Sequence, residues 1–359
     1  MPNLTTAASH HRTLALLGLP EIIAEAWQGY DPSRHIKQIA DISAKVSTNH
    51  VYKVTFTDRT FVIAKLSYFG KYEHFVEDHS IINVLANNLP APYERVLARS
   101  LIKGNQLYTY RHHTPQLDVW VVFYNPVKTD RRLPRRLDEA QIDSLGRHMA
   151  RFHRACAQVS NTLNPSSKTL TSDLQHLLEL LDTDLGQYEH RGHVEAIRQQ
   201  CDRFFEQADL LGLDHPPTIP VFVDWNIGNF SITKSGRIFS RWDYDWFRMC
   251  SRMLDFYFLS RVVSDIGDRT VFSYTVDQLM EPRFLRFLRA YHAEYPLTEN
   301  EVRFLKEAYR FFILNYVIKD GRYFFHEVYA TKLQMEAHLH YLPTLDERFD
   351  SDVLLRALF

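Results

Sequence analysis

Val223-Asp224-Trp225-Asn226-Ile227-Gly228-Asn229-Phe230, followed by Ser231-Ile232-Thr233, Gly236-Arg237-Ile238-Phe239 and Trp242-Asp243-Tyr244-Asp245, is the stretch on which the reading of this chain turns. It sets an Asp and an Asn five positions apart in one loop, then a hairpin that delivers an Asp-x-Asp. Phosphoryl transfer asks for such a set. One carboxylate must orient or deprotonate the attacking hydroxyl, and a carboxylate with an amide oxygen must hold a divalent cation against phosphate oxygens. Asp224 suits the first role and Asn229 with Asp243 the second; Asp245 is a further acid near the metal or the substrate. Asp-x4-Asn alone is common in turns, because both residues cap helices and tolerate turn geometry. The order of motifs along the chain therefore carries more weight than any one of them.

Working outward, the texture of the sequence changes near residue 125, where alternating β-branched segments give way to long helical patterns. On the N-terminal side a helix over Pro20–Trp27 precedes strand-like runs at His35–Ser43, His50–Thr57 and Thr60–Leu66, with Asp58-Arg59 as a hairpin tip. A helix follows from Tyr72 to Asn87 and stops before Leu89-Pro90-Ala91-Pro92, where proline forbids continuation. Strands are then expected at Gln106–Arg111 and Val119–Tyr124. On the C-terminal side Ile142, Leu145, Met149, Phe152 and Ala155 recur at helical spacing within Asp138–Val159. Further helices are expected at Ser172–Tyr188, His193–Leu210, Arg252–Val263, Arg283–His292, Glu299–Ile318 and Phe325–Leu342. The strand-rich insert Pro220–Asp245 lies among them. The pattern predicts an α+β chain of two lobes, a sheet lobe over 1–124 and a larger, mainly helical lobe over 125–359.

Asp224-x4-Asn229, the hairpin and Asp243-Tyr244-Asp245 resemble the catalytic and metal-binding loops of the aminoglycoside phosphotransferase and choline kinase family. That family reads His-Gly-Asp-x-x-x-x-Asn and then Ile-Asp-Trp or Ile-Asp-Phe with an acid after it. This chain carries Phe222 where the family has its loop-supporting His. Met253-Leu254-Asp255-Phe256 resembles the family's Asp-Leu-Ala step, which makes Asp255 a structural carboxylate. Leu145-Gly146-Arg147-His148-Met149-Ala150-Arg151-Phe152-His153 resembles its Leu-Gly-x-x-Leu-Ala-x-Leu-His helix. The likeness runs from about residue 35 to 260 and implies a bilobal protein-kinase-like fold and ATP- and Mg2+-dependent transfer to a small-molecule hydroxyl.

It also implies a nucleotide clamp in the N-terminal lobe. Val62-Ile63-Ala64-Lys65-Leu66 resembles the strand whose lysine contacts the α- and β-phosphates. Its acidic partner comes from Phe75-Val76-Glu77-Asp78-His79, with Glu77 the closer chemical match and Asp78 favoured by its distance from the helix exit. Ser47-Thr48-Asn49 would cover the phosphates, and backbone groups of Phe123-Tyr124-Asn125 would meet the adenine. A nucleotide-binding scaffold without turnover, or a kinase acting on protein Ser or Thr, is compatible with the same fold.

Composition sets the remaining bounds. Across 359 residues, 45% hydrophobic and 24% charged residues can supply a large core. Forty-two basic against forty-three acidic residues give a net charge of −1, so no overall field draws the chain to nucleic acid or to an anionic membrane. Three scattered cysteines, Cys156, Cys201 and Cys250, fit a reducing cytoplasm better than a disulfide framework. The N-terminus reads as no signal core, and no apolar run reaches membrane-spanning length. The basic run Lys128, Arg131, Arg132, Arg135 and Arg136 reads first as a solvated face and second as a receiver for an acidic substrate. The eighteen histidines lack partner ligands at zinc-site spacing. The aromatic-rich C-terminal helices read as core rather than as a box for a cationic amine.

Overall fold

Alternating burial along Phe61–Ser67 sets the architecture of the first part of the chain. Val62, Ala64 and Leu66 turn to one face and are buried, while Lys65 turns to the other. The computed structural model describes residues 18–44, 50–115, 117–212, 218–266 and 272–359. Their packing resolves into two units. The first takes in the chain up to Asn83 with Ala98–Val127 and Arg322–Thr331, and the second Val84–Leu97, Lys128–Gly321 and Lys332–Phe359.

The first unit contains α1 (Leu19–Tyr30), β1 (Ile36–Asp41), β2 (His50–Phe56), β3 (Phe61–Ser67), most of α2 (Tyr72–Asn88), the short pair β4 (Ile102–Lys103) and β5 (Gln106–Leu107), β6 (Thr109–Thr114) and β7 (Leu117–Tyr124). Its five-stranded sheet runs β1-β2-β3-β7-β6, antiparallel throughout. The Asp58-Arg59 tip between β2 and β3 forms as expected, with Arg59 at φ 68° and the Asp58 carboxylate accepting from Thr60 N at 2.8 Å. α1 covers one face of the sheet. Its Trp27 is fully buried, 4.5 Å from the Phe56 ring and edge-on to Phe123 at 5.2 Å. Truncating such a ring costs about 3–5 kcal/mol. α2 covers the other face through Phe75 against Trp120 and His79 against Tyr124.

The second unit is mainly helical: α3 (Glu139–Val159), α4 (Leu170–Leu181), α5 (Asp184–Glu189), α6 (Val194–Leu211), α7 (Phe256–Val263), α8 (Pro282–Glu294), α9 (Glu299–Phe312) and shorter C-terminal helices. α3 begins where Asp138 and Gln141 close a capping box, and it packs along α8. Gly146 makes that approach possible, since a Cβ there would lie 2.6 Å from the Phe287 carbonyl oxygen. Two antiparallel pairs are embedded among the helices, β8 (Ile219–Val221) with β11 (Arg248–Cys250), and β9 (Phe230–Ile232) with β10 (Ile238–Arg241). The chain thus has the α+β protein-kinase-like architecture that its sequence predicts.

Several boundaries differ from expectation for local reasons. The Gln106–Arg111 strand divides into β5 and the start of β6. The Ser172–Tyr188 helix breaks at Asp182-Thr183, because Thr183 caps α5 by accepting from Gly186 N at 3.1 Å. Arg252–Asp255 is a 3-10 turn before α7, and α9 passes into a π-helix over Ile313–Lys319. Among the described residues, no helix is long and apolar enough to cross a membrane.

Candidate active site

Asp224 and Asn229 meet within their own loop. Asn229 Nδ2 donates to Asp224 Oδ2 at 2.9 Å, and Asn226 N donates to Asp224 Oδ1 at 3.2 Å, so both oxygens of the half-buried carboxylate are oriented. With its amino group spent on Asp224, Asn229 keeps its side-chain oxygen for another partner. The loop then returns through the β9–β10 hairpin. Trp242 N donates to Asn229 O at 3.0 Å, which brings the chain that leads from β10 into Asp243 back beside the loop.

A buried polar relay holds this loop from behind. Asp255 Oδ1 accepts from Phe222 N at 2.9 Å and Val223 N at 2.7 Å. Its Oδ2 accepts from His153 Nε2 at 2.9 Å, and His153 Nδ1 meets the Tyr291 hydroxyl at 2.8 Å. Asp255 and His153 are both fully shielded from solvent. Asp255 is therefore the structural carboxylate expected of it, and the last residue of the Leu145–His153 motif is its partner. Arg252 extends the relay to Tyr291 at 3.4 Å and pairs with Glu301 at 2.6 Å.

The backbone is strained at two points beside the candidate chemistry. Val223 takes φ 59° and Asp243 φ 68°. A β-branched residue rarely adopts the left-handed region, and such strain concentrates at working sites. Val223 stands where the resembled pattern has glycine, the residue for which that conformation is free.

The donor set fits a hard divalent cation. Asp243, Asp245 and Asn229 are half-buried and carry hard oxygen donors. Among the described residues, no three His, Cys, Asp or Glu side chains gather to hold a metal by themselves. Oxygen donors of this kind suit Mg2+, which commonly takes one or two protein carboxylates together with phosphate oxygens and water.

In the first unit, Lys65 lies on β3 opposite Val122 of β7 and is 4% exposed. It shares the sheet face that α2 covers, where Asp78 is buried and Glu77 half-buried. Phe123 does not offer its side chain to a ligand: the ring belongs to the core against Trp27, and its carbonyl accepts from Leu101 N at 2.7 Å. Asn125 N donates to Arg99 O at 2.9 Å, and the Tyr124 hydroxyl is bonded to His79. The Asn125 amide is thus paired within the chain, while the Phe123 carbonyl keeps a second lone pair. Ser47, Thr48 and Asn49 lie outside the described residues.

No family model and no curated protein matches the chain by sequence. Solved structures match it along nearly its whole length. The complex of amicoumacin kinase hAmiN with AMP-PNP, Ca2+ and Ami is 15% identical, covers 96% of this chain and 99% of its own, and superposes with a TM-score of 0.61. The streptomycin–ATP complex of APH(2")-IIa is 14% identical, covers 92% and 99%, and gives 0.53. Spectinomycin phosphotransferase APH(9)-Ia with ADP and spectinomycin is 12% identical, covers 94% and 98%, and gives 0.50. The fold is that of the antibiotic phosphotransferases.

Within the phosphotransferase fold, one residue at the site escapes a reading of the sequence. Arg241 closes β10 after Ile238-Phe239-Ser240, where a charged residue in a short hairpin reads as solvated. It is instead fully buried, with Nη2 donating to Asp224 O at 2.9 Å and Nη1 to Asn229 O at 3.2 Å and Trp242 O at 2.7 Å. Burial pulls its pKa below the usual arginine value, against the opposing pull of Asp224, Asp243, Tyr244 and Asp255. The signal available in the sequence was Phe222, an aromatic face where a polar loop support was expected.

Proposed function

We propose that this chain is an ATP- and Mg2+-dependent phosphotransferase that moves the γ-phosphoryl group to a hydroxyl of a small molecule. The observation that carries the reading is the Asn229–Asp224 hydrogen bond at 2.9 Å, in a loop whose Asn229 carbonyl is bonded to the residue before Asp243. The loop pairs Asp224 with Asn229, and the chain returns beside it just before Asp243, which supports a carboxylate for the nucleophile and an amide and acids for a cation.

Asp224 orients the acceptor hydroxyl and takes up its proton as the oxygen attacks phosphorus. Asn229, through its side-chain oxygen, and Asp243 hold Mg2+, with Asp245 beside them. The ion, when bound, neutralises charge on the phosphate oxygens. Lys65 steadies the phosphates, and its burial together with Asp78 favours Asp78 over Glu77 as the acid that aligns it. Backbone groups of the Phe123-Tyr124-Asn125 connector meet the adenine, the Phe123 carbonyl through its second lone pair. The antibiotic kinases of this fold support a metabolite-sized acceptor.

Thermal unfolding with and without Mg-ATP and Mg-GTP tests the reading. A ligand at 100 times its Kd raises stability by about 2.7 kcal/mol. That gain should appear in the wild type, vanish in Asp243→Ala and persist in Asp224→Ala, whose turnover should drop by at least about 100-fold, the usual contribution of a positioned acid–base group. Mg-ATP binding by Asp243→Ala at wild-type strength would overturn the metal assignment. Binding without turnover in the wild type, across a panel of metabolite alcohols, would make the chain a nucleotide-binding scaffold instead.

A further inference from the structure

Arg241 is a buried cation whose acceptors all belong to the candidate machinery. Its three hydrogen bonds end on the main-chain carbonyls of Asp224, Asn229 and Trp242, and its Nε finds no acceptor. The guanidinium lies between two aromatic faces, 4.8 Å from the Phe222 ring and 4.8 Å from Trp225. Among the described residues, no carboxylate is one of its hydrogen-bond acceptors. A fully buried cation served by neutral dipoles is an expensive way to stabilise a core, and an apolar residue of similar volume would do that better. What an apolar residue cannot do is tie three carbonyls from two separate segments to one rigid plane. A lysine cannot do it either, because it lacks the planar fork.

The local sequence gives this tie a reason. Phe222 offers the loop no hydrogen bond, where the resembled pattern carries a His as loop support. The ring instead becomes one wall of the slot that receives Arg241, and the bonds to the loop come from the far strand of the hairpin. Arg241 is itself fixed at its backbone, where its amide donates to Val96 O at 2.6 Å, and its carbonyl accepts from the Tyr244 hydroxyl at 3.1 Å. The plane of the guanidinium is thus set by groups outside the loop that it holds.

We propose that Arg241 is a positioning residue, which locks the Asp224–Asn229 loop to the strand end at Trp242 so that Asp224, Asn229 and Asp243 share one geometry. Its role as an aid to catalysis rests on the phosphotransferase reading above; its role in holding the loop does not.

The test compares Arg241→Lys and Arg241→Met with the wild type by two readouts. The first is amide hydrogen exchange across residues 222–230 and 241–243 in the protein without nucleotide. Both variants should exchange there about tenfold faster or more, as expected for local opening when anchoring bonds are lost, with the helices of the second unit unchanged. The second is hydrolysis of Mg-ATP with water as the acceptor, in which the γ-phosphorus leaves the β-bridging oxygen for the water oxygen. The kcat should fall about 100-fold in both variants, the scale of a small misplacement, while KM for Mg-ATP moves by less than about threefold. A lysine that restores both readouts would reduce Arg241 to a buried charge and overturn the proposal, as would wild-type exchange in Arg241→Met. If Arg241→Met fails to fold, Arg241→Lys alone decides. If the wild type neither binds nor hydrolyses Mg-ATP, the phosphotransferase reading falls, and the exchange measurement still decides whether Arg241 holds the loop.

Discussion

Arg241 and Arg248 stand seven residues apart on the strands that flank the Asp243 turn, and both are shut away from solvent, at 0% and 4% exposure. They are satisfied in opposite ways. Arg248 is neutralised: it pairs with Asp173, donates from Nε to the Tyr316 hydroxyl at 2.7 Å and lies over the Phe311 ring. Lys319 joins the same carboxylate at 3.1 Å. Arg241 has only carbonyls and two aromatic faces. An arginine closed off by a carboxylate exports little field and serves the scaffold. One held by dipoles keeps its charge near Asp224 and Asp243 and keeps their loops in register.

The comparison breaks most readily on the Arg248 side. Asp173→Asn leaves buried Arg248 without its anion and takes from Lys319 the nearer of its two carboxylates, and should lower unfolding stability by about 3–5 kcal/mol, read by denaturant titration. The nucleotide-dependent stabilisation of the remaining folded protein should be unchanged. Loss of nucleotide binding at full stability would mean that the two arginines are not divided between scaffold and site. Next in size is Gly146→Ala on α3, the helix that carries His153 to Asp255. A methyl against the Phe287 carbonyl should cost about 1–3 kcal/mol by thermal unfolding, because the helix pair must move apart to admit it. An unchanged Tm would show that the α3–α8 approach is looser than described.

Acid titration gives the smallest and most specific contrast. Burial pushes the Asp173 carboxyl up, but Arg248 and Lys319 overrule it and hold it below the usual carboxylate range. Its contribution is therefore present above about pH 4 and lost as pH falls further. Burial, with His193 and His190 beside it, pushes His338 down to about 3. The fold favours neutral His338, so stability should decline as pH drops from about 6.5, the unperturbed histidine value, toward 3. The His338 ring stacks on His193 at 4.3 Å, and His338→Phe keeps a ring there without a proton site. Denaturation midpoints from pH 7 to 4 should slope less in that variant than in the wild type. Equal slopes would place the acid sensitivity elsewhere.

How far the sequence could be read follows from the same physics. The Asp224–Asn229 loop and the hairpin that returns beside it were legible because the spacing of the motif is local, and the β3 strand was legible because alternation is a local property. Arg241 was not, since its burial depends on Phe222 and Trp225 closing over it, and nothing within Ile238–Arg241 announces them. The Val223 backbone was not legible either: a β-branched residue argues against φ 59°, and the Asp255 carboxylate bonded to its amide helps hold it there. That the Phe123 carbonyl and the Asn125 amide are bonded to Leu101 and Arg99 was not legible, because the pairing is set by strand geometry rather than by residue type.

The π-helical run Ile313–Lys319 makes this one stretch of the C-terminal helices tolerant of a change in chain length. A π turn holds more residues than an α turn, so the run turns the chain through nearly the angle that an α-helix one residue shorter would cover. Within it Tyr316 packs on Trp246 and Lys319 pairs with Asp173. Deleting a residue there would let the segment wind as ordinary helix and leave the chain after it facing nearly the same way. The same deletion within Glu299–Phe312 would rotate everything after it by about 100°. A one-codon deletion should therefore do less harm in the π run than in the α-helix before it.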